Sequence, residues 1–378
     1  MTDLKTEFIT WFHNEFPETE MFVDMAMISE NSPWHREITV AVHTRMVVSQ
    51  YLTLVNATHM IDETTHGWGN FDLCGAFACA FHDVGKPAAR TEAYKPERGT
   101  YYRYGGHELI SARMWETWAA ENWIMLERRF NFTARDIYVT GWMIENHLPW
   151  DISKKDKREA LAKTANSMGG PETFIAVLKA DTWGRISDDA TEKRAKVTKW
   201  CDEFEELCDS IVVSDAPDFD EAPKLFMLIG ASGSGKSSFF NLIGTDMEHF
   251  SLDRFRHEWY DAEDYRKAFE LSCADKSFTN KANAEYANML KRGKDVVVDN
   301  TNTSKKRRAH YIRQAKNAGY YIVGVIFPIS VNEVVARQHT REDKFVPEEA
   351  VRRQYETLAL PSYGEFDDIY VVDSNLKK

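Results

Sequence analysis

The sequence predicts a multidomain protein, in which an all-α domain over residues 1–213 precedes an α/β domain with a central parallel sheet over residues 224–378. The chain has 378 residues, more than the roughly 100–200 residues of one ordinary domain. Up to residue 212 apolar residues recur at helical spacing, whereas beyond it short β-rich runs alternate with helical stretches. Residues 214–223 contain two prolines and four acidic residues, which predicts a linker between the domains.

Four β-rich runs in the second domain predict its parallel strands. They are Leu225–Ile229, Val296–Val298, Tyr321–Phe327 and Ile369–Val372. Helical stretches separate them, and a helical crossover is the usual connection between neighbouring parallel strands. The first domain has few such runs, so we expect it to be helical throughout.

The two domains differ in charge. Residues 221–378 hold 24 Lys and Arg against 23 Asp and Glu, which leaves 23 against 36 in residues 1–220. The acidic first domain cannot attract a polyanion by net charge and would need bound cations to do so. The second domain has a basic run that predicts either a solvated face or a contact with phosphates: Lys291, Arg292, Lys294, Lys305, Lys306, Arg307 and Arg308.

Membrane association is not expected. No stretch approaches the roughly 20 consecutive apolar residues of a membrane-spanning helix. The first residues also lack the basic and then apolar pattern of a secretory signal, so we expect a cytoplasmic protein.

A phosphate-binding motif opens the second domain. Residues 230–237 read Gly-Ala-Ser-Gly-Ser-Gly-Lys-Ser and fit GxxxxGK[ST], after an apolar strand and before a helical stretch. Backbone N–H groups of such a loop hold phosphates, Lys236 reaches the β- and γ-phosphate oxygens, and Ser237 ligates Mg²⁺. The predicted ATP ligands are Gly230, Ser232, Gly233, Ser234, Gly235, Lys236, Ser237 and Ser238.

Polar groups farther along the domain favour phosphoryl transfer to a hydroxyl. Asp253 follows a short strand-like run, where it could accept a proton from the attacking hydroxyl or, alternatively, cap a helix. Asp299 follows the run Val296–Val298. Arg337 and Arg341 are four residues apart, on one helical face, and suit a lid that closes over a nucleotide.

In this order, the motifs resemble the 5′-hydroxyl polynucleotide kinase family over nearly all of residues 224–373. The resemblance implies that Asp253 is the general base and that Arg256 binds the phosphate of the acceptor, with Asp299, Thr301 and Asn302 also on the acceptor side. Arg337 and Arg341 would clamp ATP, and Arg341 would stabilise the transferring group. The sequence departs from the family at Asn300, where an Asp is expected, so Asp299 and Asn300 are alternatives for that role.

The first domain contains histidines and acids that suit a metal centre. They stand on separate helical segments, in the order His43, His82, Asp83, His107, His147 and Asp181. Adjacent His82 and Asp83 can face one metal or bridge two, and the other side chains would complete octahedral spheres of nitrogen and oxygen. Such spheres suit Mn²⁺, Fe²⁺, Co²⁺, Ni²⁺ or Mg²⁺ better than a four-coordinate structural zinc.

This pattern resembles the HD-domain phosphohydrolase superfamily. Residues 34–37 (Trp-His-Arg-Glu) before His43, and residues 82–86 (His-Asp-Val-Gly-Lys), carry the likeness, although relatives have Gly-Asp where Ile38 and Thr39 stand. The resemblance implies one metal on His43, His82, Asp83 and Asp181, and a second on His107 and His147 with Asp83 shared. Lys86 would steady the phosphate of the substrate.

Together the two resemblances predict an enzyme that heals nucleic-acid ends. The kinase would phosphorylate 5′-hydroxyl ends of RNA or DNA with ATP and Mg²⁺, the first domain would remove a 2′,3′-cyclic phosphate or 2′-phosphate, and a separate ligase would join the ends. The alternative is a nucleoside or nucleotide kinase fused to an HD nucleotidase. A third interpretation is a nucleotide-gated regulatory protein with an inactive HD domain.

Overall fold

The computed structural model describes residues 3–32, 35–61, 68–96, 99–211, 217, 219–243, 246–260, 262, 264–341 and 344–373. The chain divides into two compact units, Met1–Val212 and Val213–Lys378. We call them the N-terminal unit and the C-terminal unit. Four residues of the predicted linker, 214–216 and 218, lie outside the described residues.

The N-terminal unit is mainly helical. Its helices are α1 (Leu4–Asn14), α2 (Glu20–Met27), α3 (Val40–Ile61), α4 (Asn70–Phe81), α5 (Lys86–Ala89), α6 (His107–Glu121), α7 (Trp123–Phe130), α8 (Ala134–Glu145), α9 (Lys155–Met168), α10 (Glu172–Trp183) and α11 (Ala190–Ser210), with short 3₁₀ turns at Phe16–Glu18 and Pro149–Asp151.

Helix α4 is the centre of this unit. All residues from Leu73 to Phe81 are buried, and a helix that is apolar on every side is one that neighbours surround. The ring of Phe77 packs 4.8 Å from Trp11 and 5.5 Å from Trp115, measured between centroids. The packing holds the end of α4 in place, and His82 and Asp83 follow immediately after that end.

The N-terminal unit also contains two hairpins, so the expectation of an all-α domain is too simple. Strands β1 (Ser29–Ser32) and β2 (His35–Thr39) pair antiparallel, as do β3 (Thr91–Lys95) and β4 (Gly99–Arg103). Neither strand of the second hairpin has a buried residue. Because strand prediction rests on a face buried in the core, such short exposed hairpins give almost no apolar signal.

The C-terminal unit is an α/β domain with a central parallel sheet, as the sequence predicts, and the sheet has five strands, one more than the four predicted runs. Its elements are β5 (Lys224–Ile229), α12 (Lys236–Ile243), β6 (Glu248–Phe250), α13 (Leu252–Trp259), α14 (Tyr265–Ala274), α15 (Phe278–Lys291), β7 (Val296–Val298), α16 (Lys305–Asn317), β8 (Tyr321–Ile326), α17 (Val331–Gln338), α18 (Glu348–Glu356) and β9 (Asp368–Val371).

The strand order is β6-β7-β5-β8-β9, so the strand that precedes the phosphate-binding motif lies in the middle of the sheet. The four predicted strands agree with β5, β7, β8 and β9 to within one residue at each end. Val296–Val298 is buried throughout, since β7 pairs with a strand on both sides. In the part of the chain that the structure describes, no helix combines the length and apolarity needed to cross a bilayer.

Candidate active sites

The N-terminal unit brings all six predicted metal ligands into one buried cluster. Helix α3 carries His43, the turn after α4 carries His82 and Asp83, and α10 carries Asp181. His107 is the first residue of α6, and His147 follows the end of α8. Each of the six is at most 9% exposed. Five separate chain segments therefore meet at one point.

Asp83 lies between two groups of imidazoles. Its Oδ2 is 3.1 Å from Nε2 of His82 and 3.7 Å from Nε2 of His43. Its Oδ1 is 3.2 Å from Nε2 of His107 and 4.0 Å from Nε2 of His147. The ligand atoms of each group lie within 4.8 Å of one another, so one carboxylate could bridge two metal ions.

Asp181 adds a second carboxylate to the first group. Its Oδ1 is 3.1 Å from Nε2 of His43 and 3.8 Å from Nε2 of His82. Its Oδ2 pairs with Arg185, one helical turn later on α10. Sequence reasoning missed Arg185, although its spacing of four residues from Asp181 was a readable signal.

Backbone carbonyls set the tautomer of three of the histidines. His82, His107 and His147 place Nδ1 at 2.8, 2.7 and 2.7 Å from the carbonyl oxygens of Cys79, Tyr104 and Ile144. A carbonyl only accepts, so each Nδ1 carries the proton and each Nε2 has a lone pair directed at Asp83. Nε2 of His82 is buried and makes no hydrogen bond within the described residues. A metal ion is the partner that such a nitrogen fits.

The electrostatics favour the protonation states that bind metal. Burial works against the charge of Asp83, but His82 and Lys86 outweigh it and hold the pKa of this carboxyl well below its usual range. For Asp181 burial is likewise outweighed, by Arg185 and His43, and its pKa also lies well below normal. Burial and the neighbouring imidazoles lower the pKa of His147 to about 3. Ionised carboxylates and a neutral imidazole are the forms that ligate metals.

Lys86, the residue expected to steady a substrate phosphate, lies beside the cluster. Its side chain is 6% exposed, and Nζ is 2.8 Å from Oδ2 of Asp83. Of the residues that carry the resemblance before His43, Trp34 and the side chains of His35 and Glu37 lie outside the described residues. Arg36 pairs with Asp188 on an exposed surface. Ile38 has φ of 80°, a left-handed conformation that favours glycine.

In the C-terminal unit, residues 230–235 form the loop between β5 and α12. Gly233 and Gly235 have φ of 97° and 100°, a region that other residues rarely adopt. A Cβ atom at Gly230 would lie 2.5 Å from Oγ of Ser234. Lys236 donates to the carbonyl oxygens of Gly230 (2.9 Å) and Ala231 (2.7 Å), and burial lowers its pKa to about 8. Both glycine geometry and lysine position are those of a phosphate-binding loop.

Asp299, rather than Asn300, faces this loop. The Ser237 hydroxyl donates to Oδ2 of Asp299 at 3.0 Å, and His249 lies 3.4 Å from the same oxygen. Asn300 instead accepts a hydrogen bond from the backbone N–H of Leu252. Asp299 was expected beside the acceptor, but its contact with Ser237 places it where a hydroxyl and a carboxylate could share Mg²⁺.

Asp253 is held by three side chains at the start of α13. Oδ1 accepts from Arg256 at 2.5 Å and from Tyr265 at 2.7 Å, and Oδ2 pairs with Lys344. Burial alone would raise the pKa of this carboxyl. Lys344 and the other donors around it lower the pKa by more, so the net shift is downward. The helix is capped by Ser251, so the alternative that Asp253 is the cap is wrong. Tyr265 and Lys344 were not predicted, because they lie 12 and 91 residues away in sequence.

Asn302, one of the predicted acceptor residues, supports the fold instead. Asn302 is 3% exposed, and its amide donates to the carbonyl oxygens of Leu228 and Val298 at the ends of β5 and β7. This burial corrects the expectation that Asn302 contacts the acceptor. The carbonyl of Thr301 accepts from the backbone N–H of Gly230, so this part of the chain braces the phosphate-binding loop.

The basic run needs a similar correction at Arg308. Its side chain is fully buried and pairs with Glu365, so it cannot reach a phosphate, whereas Lys305, Lys306 and Arg307 are exposed. Arg292 pairs with Glu248 and Glu285.

Helices α17 and α18 contact the phosphate-binding loop, as a lid would. Arg337 donates to the carbonyl of Gly233 at 3.3 Å, and Gln338 donates to that of Ser232 at 2.8 Å. Gln354 accepts from the backbone N–H of Ser232 at 2.8 Å. Arg341 lies close enough to influence the charge of Lys236. Both glutamines were missed by sequence reasoning, since a neutral amide within a charged helix carries no pattern of its own.

The match to a family model agrees with this geometry in the C-terminal unit. Residues 225–361 match a family model described as an AAA domain. Among solved structures, the chain is similar to a gluconokinase from Sinorhizobium meliloti 1021, with 22% identity and a TM-score of 0.29, over 41% of this chain and 85% of that one. The family match and the loop geometry agree that the C-terminal unit is a P-loop domain, for which ATP and Mg²⁺ are the expected cofactors.

Proposed function

We propose that the protein is a bifunctional enzyme that heals RNA ends, with an HD-type phosphoesterase in the N-terminal unit and a 5′-hydroxyl polynucleotide kinase in the C-terminal unit. The observation that carries the first half is the position of Asp83, whose two oxygens face separate pairs of histidines at 3.1 to 4.0 Å. A bridging carboxylate with imidazoles on both sides suits two Mn²⁺, Co²⁺, Ni²⁺ or Fe²⁺ ions.

In the phosphoesterase, bound metals would supply Lewis acidity, which lowers the pKa of water and offsets the charge of the phosphate. Asp83, Asp181 and the four histidines would hold them. Lys86, whose Nζ is 2.8 Å from Asp83, is near enough to the same centre to bind a phosphate oxygen of a 2′,3′-cyclic phosphate or 2′-phosphate. Hydrolysis breaks one P–O bond and returns a hydroxyl to the ribose.

In the kinase, Asp253 would accept the proton of the 5′-hydroxyl as its oxygen bonds to the γ-phosphorus and ADP leaves. Its low pKa keeps the carboxylate ionised and able to accept. Arg256, which contacts Asp253, has a 14% exposed side chain and could also bind the phosphate that follows the terminal nucleoside. Lys236 and Arg341 would stabilise charge on the transferring group, and Ser237 and Asp299 would hold Mg²⁺.

The test is an RNA that carries both a 5′-hydroxyl and a 2′,3′-cyclic phosphate, incubated with the full chain, ATP, and Mg²⁺ or Mn²⁺. We expect a 5′-phosphate and loss of the cyclic phosphate. Asp253→Asn should reduce 5′-phosphorylation by about 100-fold or more, the usual contribution of a positioned base. Hydrolysis of the cyclic phosphate should be unchanged in this variant. Asp83→Ala should abolish the phosphoesterase, lower the metal content in elemental analysis, and leave the kinase intact.

Each variant serves as the folding control for the other. The HD assignment would be wrong if Asp83→Ala hydrolysed phosphoesters at the parent rate. It would also be wrong if the parent protein were active in excess chelator. The alternative of a nucleoside kinase fused to a nucleotidase predicts instead that free nucleosides are better acceptors than oligonucleotides. We further propose a cytoplasmic role, with a separate ligase that joins the healed ends.

A further inference from the structure

The hairpin of β3 and β4 connects two parts of the candidate metal centre. Asp83 and Lys86 precede it in the chain, and His107 follows it. At its base, the carbonyl of Tyr104 accepts from Nδ1 of His107 at 2.7 Å. The ring of Tyr104 also lies 5.6 Å from Nζ of Lys86, the cation that contacts Asp83. The hairpin therefore begins and ends at the metal centre.

One face of this hairpin presents aromatic rings to solvent. Glu92 pairs with Tyr102, and Tyr94 pairs with Thr100. Residues directly opposite each other in an antiparallel ladder share a face, and so do residues two apart in one strand. Tyr94 therefore lies on the same face as Glu92 and its partner Tyr102. Their exposures are 71% and 42%. Tyr104 follows one residue after the end of β4, and its ring lies beside Lys86.

A cation accompanies the rings. The Arg90 guanidinium lies 3.6 Å from the ring centroid of Tyr102, within stacking distance. Glu92 is the acidic residue on this face, and Arg90 balances its charge. On the opposite face Tyr101 is half-buried, and its hydroxyl accepts from Arg103 at 2.6 Å. The exposed rings thus have no role in the core that would account for them.

Resting on the function proposed above, we propose that this face, formed by Arg90, Tyr94, Tyr102 and Tyr104, binds the single-stranded RNA that precedes the phosphorylated 3′ end. Bases stack on tyrosine rings whatever their sequence, and a guanidinium suits the phosphates between them. The row starts at Lys86 beside Asp83, so a strand whose terminal phosphate lies at the metals would continue along it. This local contact also explains how an acidic unit can hold a polyanion.

The test compares hydrolysis of a 2′,3′-cyclic mononucleotide with that of RNA oligomers of two to six nucleotides with the same end. In the parent, KM should fall as nucleotides are added. In Tyr94→Ala/Tyr102→Ala this advantage of the oligomer over the mononucleotide should shrink about tenfold or more. Tyr94→Phe/Tyr102→Phe keeps the rings and should retain it. Tyr370→Ala, at an exposed tyrosine on β9, is the matched control and should change nothing.

A length advantage that is equal in the parent and the double alanine variant would overturn the proposal. Binding of a six-nucleotide RNA with a stable 3′-phosphate, followed by fluorescence anisotropy, separates this failure from failure of the enzyme assignment. If the parent hydrolyses none of the substrates, the proposed phosphoesterase is wrong. In that case the hairpin proposal is supported if the double alanine variant binds this RNA at least fivefold more weakly than both the parent and the phenylalanine variant. If the three proteins bind it equally, the hairpin proposal is wrong as well.

Discussion

Arg308 offers a direct test of how the C-terminal unit is held together. Its guanidinium is fully buried and makes two hydrogen bonds with Glu365, from Nε at 3.1 Å and from Nη2 at 2.8 Å. Nη1 also donates to the carbonyl oxygens of Asn302, Thr303 and Ala359 at 2.9–3.1 Å. Removal of this side chain would leave a largely buried carboxylate and three carbonyls without their donor.

Replacement of Arg308 by Ala should therefore cost about 3–5 kcal/mol of unfolding free energy, as is usual when one partner of a buried ion pair is removed. For a unit of this size, the melting temperature should fall by roughly 6–20 °C. The neighbouring exposed Arg307→Ala is the matched control, and a surface change of this kind should shift the unfolding free energy by less than about 0.5 kcal/mol.

The measurement is a thermal melt of the full chain, with hydrogen exchange of peptides from β7 and α16 to locate the change. The double variant Arg308→Met/Glu365→Leu should recover part of the loss, because it removes both charges. Equal melting temperatures for Arg308→Ala and Arg307→Ala would refute this reasoning. The basic run would then have to be interpreted as a phosphate-binding surface.

Three further perturbations test other parts of the structure. Ile38→Gly should stabilise the N-terminal unit by about 1 kcal/mol in a urea titration, because it relieves a left-handed conformation at an exposed side chain, whereas Val42→Gly within helix α3 should destabilise it by a similar amount. Bound ATP should keep the Lys236 ammonium protonated, whereas the free protein loses this proton above the Lys236 pKa of about 8. ATP binding should therefore take up a proton at high pH, and the Kd for ATP, measured by calorimetry, should rise roughly fivefold between pH 8 and pH 9. Gly75→Ala should destabilise by about 1–3 kcal/mol in thermal melts, because the added Cβ would clash with the buried hydroxyl of Tyr51; an unchanged melting temperature would contradict the packing around α4.

The residues of both candidate sites were largely predictable from the sequence. The phosphate-binding loop has a fixed local spacing, because consecutive N–H groups must meet one phosphate chain. The roles of the histidines and acids of the N-terminal unit depended on a family resemblance, and the structure brings all six residues together in one cluster. The parallel strands were visible as apolar runs, since β7 and β5 are covered on both faces.

The hairpin of β3 and β4, by contrast, was missed. Tyr94 and Tyr102 read as scattered surface aromatics until the pairing of the two strands aligns them beside Arg90. The register between two strands depends on the turn and on the hydrogen-bonded ladder. An exposed hairpin has no alternation of apolar and polar residues from which this register could be predicted.

What the sequence by itself determined is the set of groups whose chemistry depends on local spacing: the loop at residues 230–237, the adjacent pair at 82 and 83, and the strand runs. Only the tertiary structure decided how polar side chains of the same type divide their roles. Arg307 is exposed and Arg308 is buried, and Asp299 faces Ser237 while Asn300 holds α13. The physical reason is that the partner of a charged group is chosen by distance in space, and Glu365 and Lys344 lie 57 and 91 residues from the groups they pair with.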